Sequence, residues 1–165
     1  MKQASKLLML LAITIFISCG GKEKKKENFS YEKTVPTEQT APAVESVPAS
    51  ERVDLSDKGI GPIKSLELAP EIDQAMATHG EDVFTKMCTA CHRADKKFIG
   101  PAPTGILERR TPEWVMNMIL NPEEMIQSNA LAKDLLTEFN GAPMANQNLT
   151  EAEARAVLEY FRTLK

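Results

Sequence analysis

The stretch "MCTACHRAD", residues 87–95, contains two cysteines three positions apart and a histidine directly after the second. The whole chain has only three cysteines and two histidines, and three of these five side chains lie between Cys88 and His92. A pattern of this kind is used for metal binding, for thiol–disulfide chemistry and for the covalent attachment of haem. The rest of the sequence has to distinguish among these three uses.

Two of the three uses find little support elsewhere in the chain. A thioredoxin-type C-x-x-C needs a βαβ context, and the sequence has no strand-like alternation. A structural zinc site needs four ligands, and only His79 and Cys19 remain as good donors. The motif therefore favours covalent haem, with Cys88 and Cys91 forming thioethers to the porphyrin and His92 binding the iron from the proximal side.

The region after Pro70 is predicted to be helical, because its apolar residues recur at three- and four-residue spacing. Thr111 should cap a second helix with Pro112 at its first position, and Thr150 with Glu153 forms a capping box for the last one. The expected class is all-α, with about four helices. They are 70–87, 112–120, a third marked by Leu131, Leu135, Leu136 and Phe139, and a last one from Thr150.

Residues 71–165 resemble a class I mono-haem cytochrome c. The residues that carry the resemblance are Gly80, Phe84, Cys88, Cys91 and His92 in the order G-x-x-x-F-x-x-x-C-x-x-C-H, then Gly100-Pro101, Met144 and the segment "NLTEAEARAVLEYFRTL". The resemblance implies that about four helices pack around one covalent haem c. It also implies that the first and last helices cross near Gly80 and Tyr160, and that the carbonyl of Pro101 accepts a hydrogen bond from His92.

A methionine is expected as the sixth iron ligand, because its thioether sulfur is a soft donor. His79 is unsuitable, since it lies about 13 Å before Cys88 along the same predicted helix. Met144 is favoured because it belongs to a loop that is free to approach the haem. Met125, in a predicted loop after "NPEE", is the second candidate. The other methionines near the motif or in helical patterns are Met87, Met116 and Met118.

The N-terminus predicts export. Residues 1–18 contain two lysines and the apolar run "LLMLLAITIFI", whose 11 residues would form a helix of only about 17 Å. This length is typical of a signal peptide and too short for a membrane span. Ser18-Cys19 resembles a bacterial lipobox, although Phe16 stands where Leu is usual, so Cys19 is the expected lipidation site. The alternative is an ordinary signal peptide with an incidental Cys19.

The residues between this signal and the helical region divide into two segments. Residues 19–54 are rich in charge and proline without an apolar period, which predicts a flexible membrane tether. Residues 55–70 carry the turn "GIGP" and spaced apolar residues, which predicts an ordered strap on the folded body. The cytochrome domain is then residues 71–165.

Iron bound by both His92 and Met144 has no open coordination position, which favours electron transfer over catalysis. We therefore expect an exported, monomeric carrier anchored by its N-terminal lipid, with its haem domain in the periplasm. It would pass electrons from a respiratory donor protein to an exported reductase or terminal oxidase. The alternative is a haem-based sensor or a peroxidase-like enzyme with a displaceable sixth ligand.

The charged residues suggest protein partners rather than nucleic acid. The formal net charge of −3 gives no broad basic surface, so nucleic-acid binding is not expected. The basic residues beside the motif are expected either to form a docking rim for redox partners or to be solvated loop charges. They are Arg93, Lys96, Lys97, Arg109 and Arg110.

Overall fold

A computed structural model describes residues 47–165, so the predicted signal peptide, Cys19 and most of the predicted tether lie outside the described residues. The described part of the chain contains no β-strand, which confirms the all-α prediction. It has five α-helices: α1 (Gln74–Met87), α2 (Pro112–Leu120), α3 (Pro122–Ser128), α4 (Ala130–Glu138) and α5 (Glu151–Thr163). A short 3₁₀ turn, Ile106–Glu108, precedes α2.

Capping side chains determine where the helices begin. Thr111 accepts a hydrogen bond from the backbone of Trp114, and Thr150 forms the predicted capping box with Glu153. The first helix begins later than predicted. Asp73 caps it by accepting from the backbone of Met76, so α1 starts at Gln74 and not in the turn after Pro70.

Helix α3 is the element that the sequence analysis did not predict. The sequence predicts a helix that ends at residue 120, followed by a loop that contains Met125. Pro122 instead occupies the first turn of a new helix, where a missing N–H costs nothing. As a result Met125 lies within a helix and is fully buried.

Helices α1 and α5 cross at very close range. A β-carbon built on Gly80 would lie 1.9 Å from the carbonyl oxygen of Ala156, so only glycine permits this approach. One turn later the ring of Phe84 lies 5.5 Å from Tyr160 and 5.6 Å from Phe161, measured between centroids. These distances are typical of stabilising aromatic pairs.

A buried ion cluster joins the start of α1 to α5. Glu159 is 0% exposed, accepts from the backbone N–H of Asp73 at 2.9 Å, and pairs with Arg155 at 2.5 Å and Arg162 at 2.6 Å. Burial by itself would raise the pKa of Glu159, but the hydrogen bond and the two guanidinium groups outweigh it and lower the pKa. The carboxylate is therefore charged at neutral pH and holds the entry to α1.

Residues 47–73, which we call the N-terminal arm, form no helix and lie along the folded body. Asn117 of α2 donates to the carbonyls of Lys58 and Ile63 at 2.9 and 2.8 Å and accepts from the N–H of Ile63. Four apolar side chains of the arm pack on the core: Ile60, Ile63, Leu66 and Leu68. The predicted strap thus lies against α2 and its neighbours.

The first eight residues of the arm, 47–54, differ from the flexible chain expected of the tether. Ala49 is 5% exposed, and Ser50 donates from its backbone N–H and its hydroxyl to Glu138 of α4. Arg52 pairs with Asp134 at 2.7 Å. The composition of 47–54 is polar, but specific partners on the body fix its backbone.

Replacing Gly80 with alanine should destabilise the fold. At a solvent-exposed position in a helix, this change stabilises the folded state by about 1 kcal/mol, because alanine is the better helix former. Here the added methyl group meets the backbone of Ala156, and we expect a net loss of about 1–3 kcal/mol in the free energy of unfolding.

Denaturant unfolding of Gly80→Ala beside Glu81→Ala, an exposed neighbour on the same helix, checks this. The Glu81 variant should stay within about 0.5 kcal/mol of the wild type. A Gly80→Ala protein as stable as the wild type would contradict the close crossing.

Candidate haem site

The C-x-x-C-H motif forms the turn in which α1 ends. The backbone N–H groups of Cys91 and His92 both donate to the carbonyl of Cys88, at 3.0 and 2.9 Å. The N–H of Cys88 donates in turn to the carbonyl of Phe84. This compact turn places Cys88, Cys91 and His92 on the wall of a single cavity.

The two thiols are free and do not form a disulfide. Burial, with a smaller contribution from Cys91, raises the pKa of Cys88 to about 11. Active-site cysteines of thiol oxidoreductases have lowered pKa values, because the thiolate is the nucleophile. Cys88 has the opposite property, so its environment suits an inert attachment point better than disulfide exchange.

His92 is held by a backbone carbonyl. Its Nδ1 lies 2.9 Å from the oxygen of Pro101. A carbonyl can only accept, so Nδ1 carries the proton and Nε2 keeps its lone pair for a metal. Gly100 makes this arrangement possible, since a β-carbon there would lie 2.5 Å from Cε1 of the imidazole.

The cavity beside His92 is mostly apolar and has a volume of about 280 Å³. Cys88, Cys91, His92, Pro101 and Met144 all line it, so the structure brings together every predicted site residue except Cys19, which lies outside the described residues. All five helices contribute apolar side chains to the wall. Among them are Phe84, Val115, Ile126, Leu135 and Phe161.

The methionines divide into those that line the cavity and those that do not. Met144 lies in the loop before α5 and lines the cavity, as do Met87 beside the motif and Met118 in α2. Met125, the second candidate from sequence, is directed elsewhere. Its sulfur accepts a hydrogen bond from the backbone N–H of Ile60 at 3.0 Å, and it fills the core beneath the arm.

Two cavity residues were not identified from the sequence. Arg109 and Arg110 were expected on a docking rim or in solvent, yet both line the cavity and Arg110 is only 1% exposed. The Nε atoms of both side chains are buried without a hydrogen-bond partner among residues 47–165. An apolar cavity with two thiols, one imidazole and unused cationic donors fits haem, which is apolar over its ring and acidic at its propionates.

The described residues contain no group of three or more His, Cys, Asp or Glu side chains arranged to hold a metal ion. Within the same part of the chain, none of the helices combines the length and the apolar character needed to cross a bilayer.

An all-helical fold with this motif at the end of its first helix, beside an apolar cavity, defines a class I cytochrome c. The family model for cytochrome c matches residues 77–165, more than half of the chain. The chain therefore belongs to the cytochrome c family. Members of this family contain covalently bound haem c and transfer electrons, and both properties apply to this protein.

Individual relatives agree with this assignment. Two cytochrome c2 proteins from Rhodopseudomonas palustris match 54% of this chain. One is 27% identical, with 98% of its length in the match. The other is 30% identical, with 81% of its length in the match. The solved structure of cytochrome c from Rhodothermus marinus is 44% identical to this chain and has a TM-score of 0.61. The match includes 70% of this chain and 92% of the Rhodothermus marinus chain. An engineered form of the Rhodothermus marinus protein, bound to a carbene intermediate, is 43% identical and has a TM-score of 0.58. That match includes 70% of this chain and 93% of the engineered chain.

Proposed function

We propose that this protein is a membrane-tethered carrier that moves single electrons between redox proteins. The haem would be attached through Cys88 and Cys91, with His92 and Met144 as the two axial iron ligands. The observation that carries the proposal is that these four side chains line one apolar cavity. Bound there, the haem supplies a one-electron couple.

The protein's own residues would hold that couple in a closed site. Pro101 fixes the imidazole of His92, so its Nε2 is presented without reorganisation. The apolar wall keeps water from the iron, which favours the less charged reduced state. With His92 and Met144 both bound, no position is left for oxygen or peroxide, and this favours a carrier over a sensor or an enzyme.

Met144 is preferred over the other cavity methionines for reasons of position. Met87 directly precedes the attachment cysteine and is 39% exposed, so it belongs to the surface on the attachment side. Met118 is fixed in α2 by the helix, with its neighbours in the core. Met144 lies in an irregular loop that lines the cavity, so it is not bound to a helical position and its sulfur would be the one to bind the iron.

The exposed surface next to the motif suits brief docking of redox partners. Phe98 and Ile99 are each 46% exposed, and the guanidinium of Arg93 lies 4.1 Å from the centre of the Phe98 ring. Small apolar patches with basic residues nearby are compatible with weak, short-lived complexes. The partners we propose are a respiratory donor and an exported reductase or terminal oxidase.

The N-terminus supports the anchored part of the proposal. Cys19 follows the apolar run and would become the acylated first residue of the mature protein in the periplasm. Residues 19–46 would then connect the lipid to the arm as a tether. Because charged and proline-rich segments are extended, this length leaves the haem domain free to reach partners along the membrane.

Replacing Met144 with alanine should open the sixth coordination position. We expect the reduced variant to bind carbon monoxide, and its reduction equilibrium to shift towards the oxidised form by at least about tenfold, because the thioether ligand raises the potential. Optical redox titration and the carbon monoxide difference spectrum measure both effects.

Met125→Leu is the matched control for Met144→Ala. Leucine conserves the buried volume, so this variant should lose less than about 1.5 kcal/mol of stability. It should keep the wild-type potential and stay unreactive towards carbon monoxide. A carbon monoxide complex in Met125→Leu but not in Met144→Ala would transfer the ligand role to Met125. Rapid binding by the wild type would favour the sensor or enzyme alternative.

The lipid anchor has its own test. Cys19→Ser should release the haem protein from the membrane fraction or leave it with an uncleaved signal peptide, since serine has no thiol to form the thioether that links the lipid. Mass spectrometry of the wild type should find a multiply acylated Cys19, the form that anchors stably. A mature wild-type N-terminus at another residue, without lipid, would contradict the anchor and leave the haem assignment intact.

A further inference from the structure

Arg110 is a buried cation that has no carboxylate in direct contact within residues 47–165. Neither it nor Arg109 forms an ion pair with a carboxylate anywhere in residues 47–165. Burial, reinforced by the neighbouring Arg109, lowers the pKa of Arg110, and the charges of Asp54 and Asp57 offset this only in part. Since an unpaired buried charge is costly, the surroundings of this guanidinium should matter strongly to whatever occupies the cavity.

The N-terminal arm provides most of the hydrogen bonds to Arg110. Its Nη2 donates to the carbonyl of Ala49 at 2.6 Å, and its Nη1 donates to the carbonyl of Arg52. Nη1 also donates to the carbonyl of Arg109 at 2.8 Å, and that same oxygen accepts from the backbone N–H of Asp54 at 2.9 Å. The arm is therefore tied to the arginine pair along residues 49–54.

The same residues close one side of the cavity. Ser50 lines the cavity together with Arg109 and Arg110, and Glu138 fixes Ser50 from α4. Ala49 is 5% exposed and belongs to the core cluster. Without residues 47–54, the guanidinium of Arg110 and this part of the cavity would face water.

We propose that residues 47–54 are a cover that raises the reduction potential of the bound haem by keeping Arg110 dry. This inference rests on the proposed function, because it places the haem in the cavity that Arg110 lines. The two unused Nε–H groups would face the carboxylates of the haem. The cover thus makes the redox midpoint depend on a segment that directly follows the tether in sequence.

The sign of the effect follows from electrostatics. Reduction adds one electron to the site, and a nearby positive charge stabilises the added electron. That stabilisation grows as the effective dielectric constant falls, so water admitted around Arg110 weakens it. Exposure of the haem itself also disfavours the reduced, less charged state. Both effects lower the potential when the cover is lost.

The test uses the full-length haem protein and two measurements on each variant. Optical redox titration gives the midpoint, and hydrogen exchange gives the protection of the Asp54 amide, which reports whether the cover is docked.

Ala49→Gln introduces a long uncharged side chain at a buried position and should displace the cover with Arg110 retained. Val53→Gln, at a residue that is 62% exposed in the same segment, is the matched control. Arg110→Gln removes the charge, and Arg110→Lys restores it.

We expect Ala49→Gln to lose protection at Asp54 and to shift the reduction equilibrium about tenfold towards the oxidised form, which is about 59 mV for one electron. Arg110→Gln should show both changes, Arg110→Lys should recover part of the potential, and Val53→Gln should resemble the wild type.

An Ala49→Gln protein with lost protection and an unchanged midpoint would overturn the proposal, as would full protection in Arg110→Gln. These outcomes assume attached haem. A wild-type protein whose haem is extracted by acidic organic solvent would instead overturn the proposed attachment.

Discussion

The close crossing of α1 and α5 at Gly80 is the constraint on which the rest of the structure depends. The absence of a side chain there lets the two helices touch backbone to backbone, and this contact brings Phe84 against Tyr160 and Phe161. Glu159 adds a buried ionic link from the same helix to Asp73. The crossing at Gly80 and the link from Glu159 to Asp73 together fix the position of α1. The turn that follows α1 then places Cys88 and His92 at the wall of the cavity.

The site follows from that placement with few further requirements. Gly100 packs on the imidazole of His92, and the carbonyl of Pro101 sets its tautomer, so one short loop fixes the ring and its reactive nitrogen. The five helices surround an apolar cavity instead of filling the centre with side chains. A chain with only 5% aromatic residues has few large apolar side chains to fill a core. An apolar cofactor in the cavity supplies the missing apolar volume.

Local signals in the sequence predicted the elements that depend on local physics. The caps at Thr111 and Thr150 are each determined by a few neighbouring residues, and these predictions agree with the structure. Helix α3 was missed because a proline after asparagine can end one helix or begin the next. Only the packing of Met125 under the arm decides between them.

The remaining differences involve contacts between residues far apart in the chain. The polar composition of residues 47–54 predicted flexibility, because nothing local reveals that Arg110 and Glu138 would bind their backbone. For the same reason Arg110 was expected at a surface and not in a cavity wall. Charge near the motif could be read from the sequence, but the burial of that charge depends on a segment more than fifty residues away.

We propose that iron in this cavity is held in a closed site by His92 and Met144. The absorption spectrum of the purified wild-type protein, recorded from the visible to the near infrared, tests it most directly. We expect the weak near-infrared band of ferric haem bound by a thioether, and a reduced protein whose spectrum does not change under carbon monoxide. Absence of that band together with rapid carbon monoxide binding would contradict the claim and make the protein a haem sensor or enzyme.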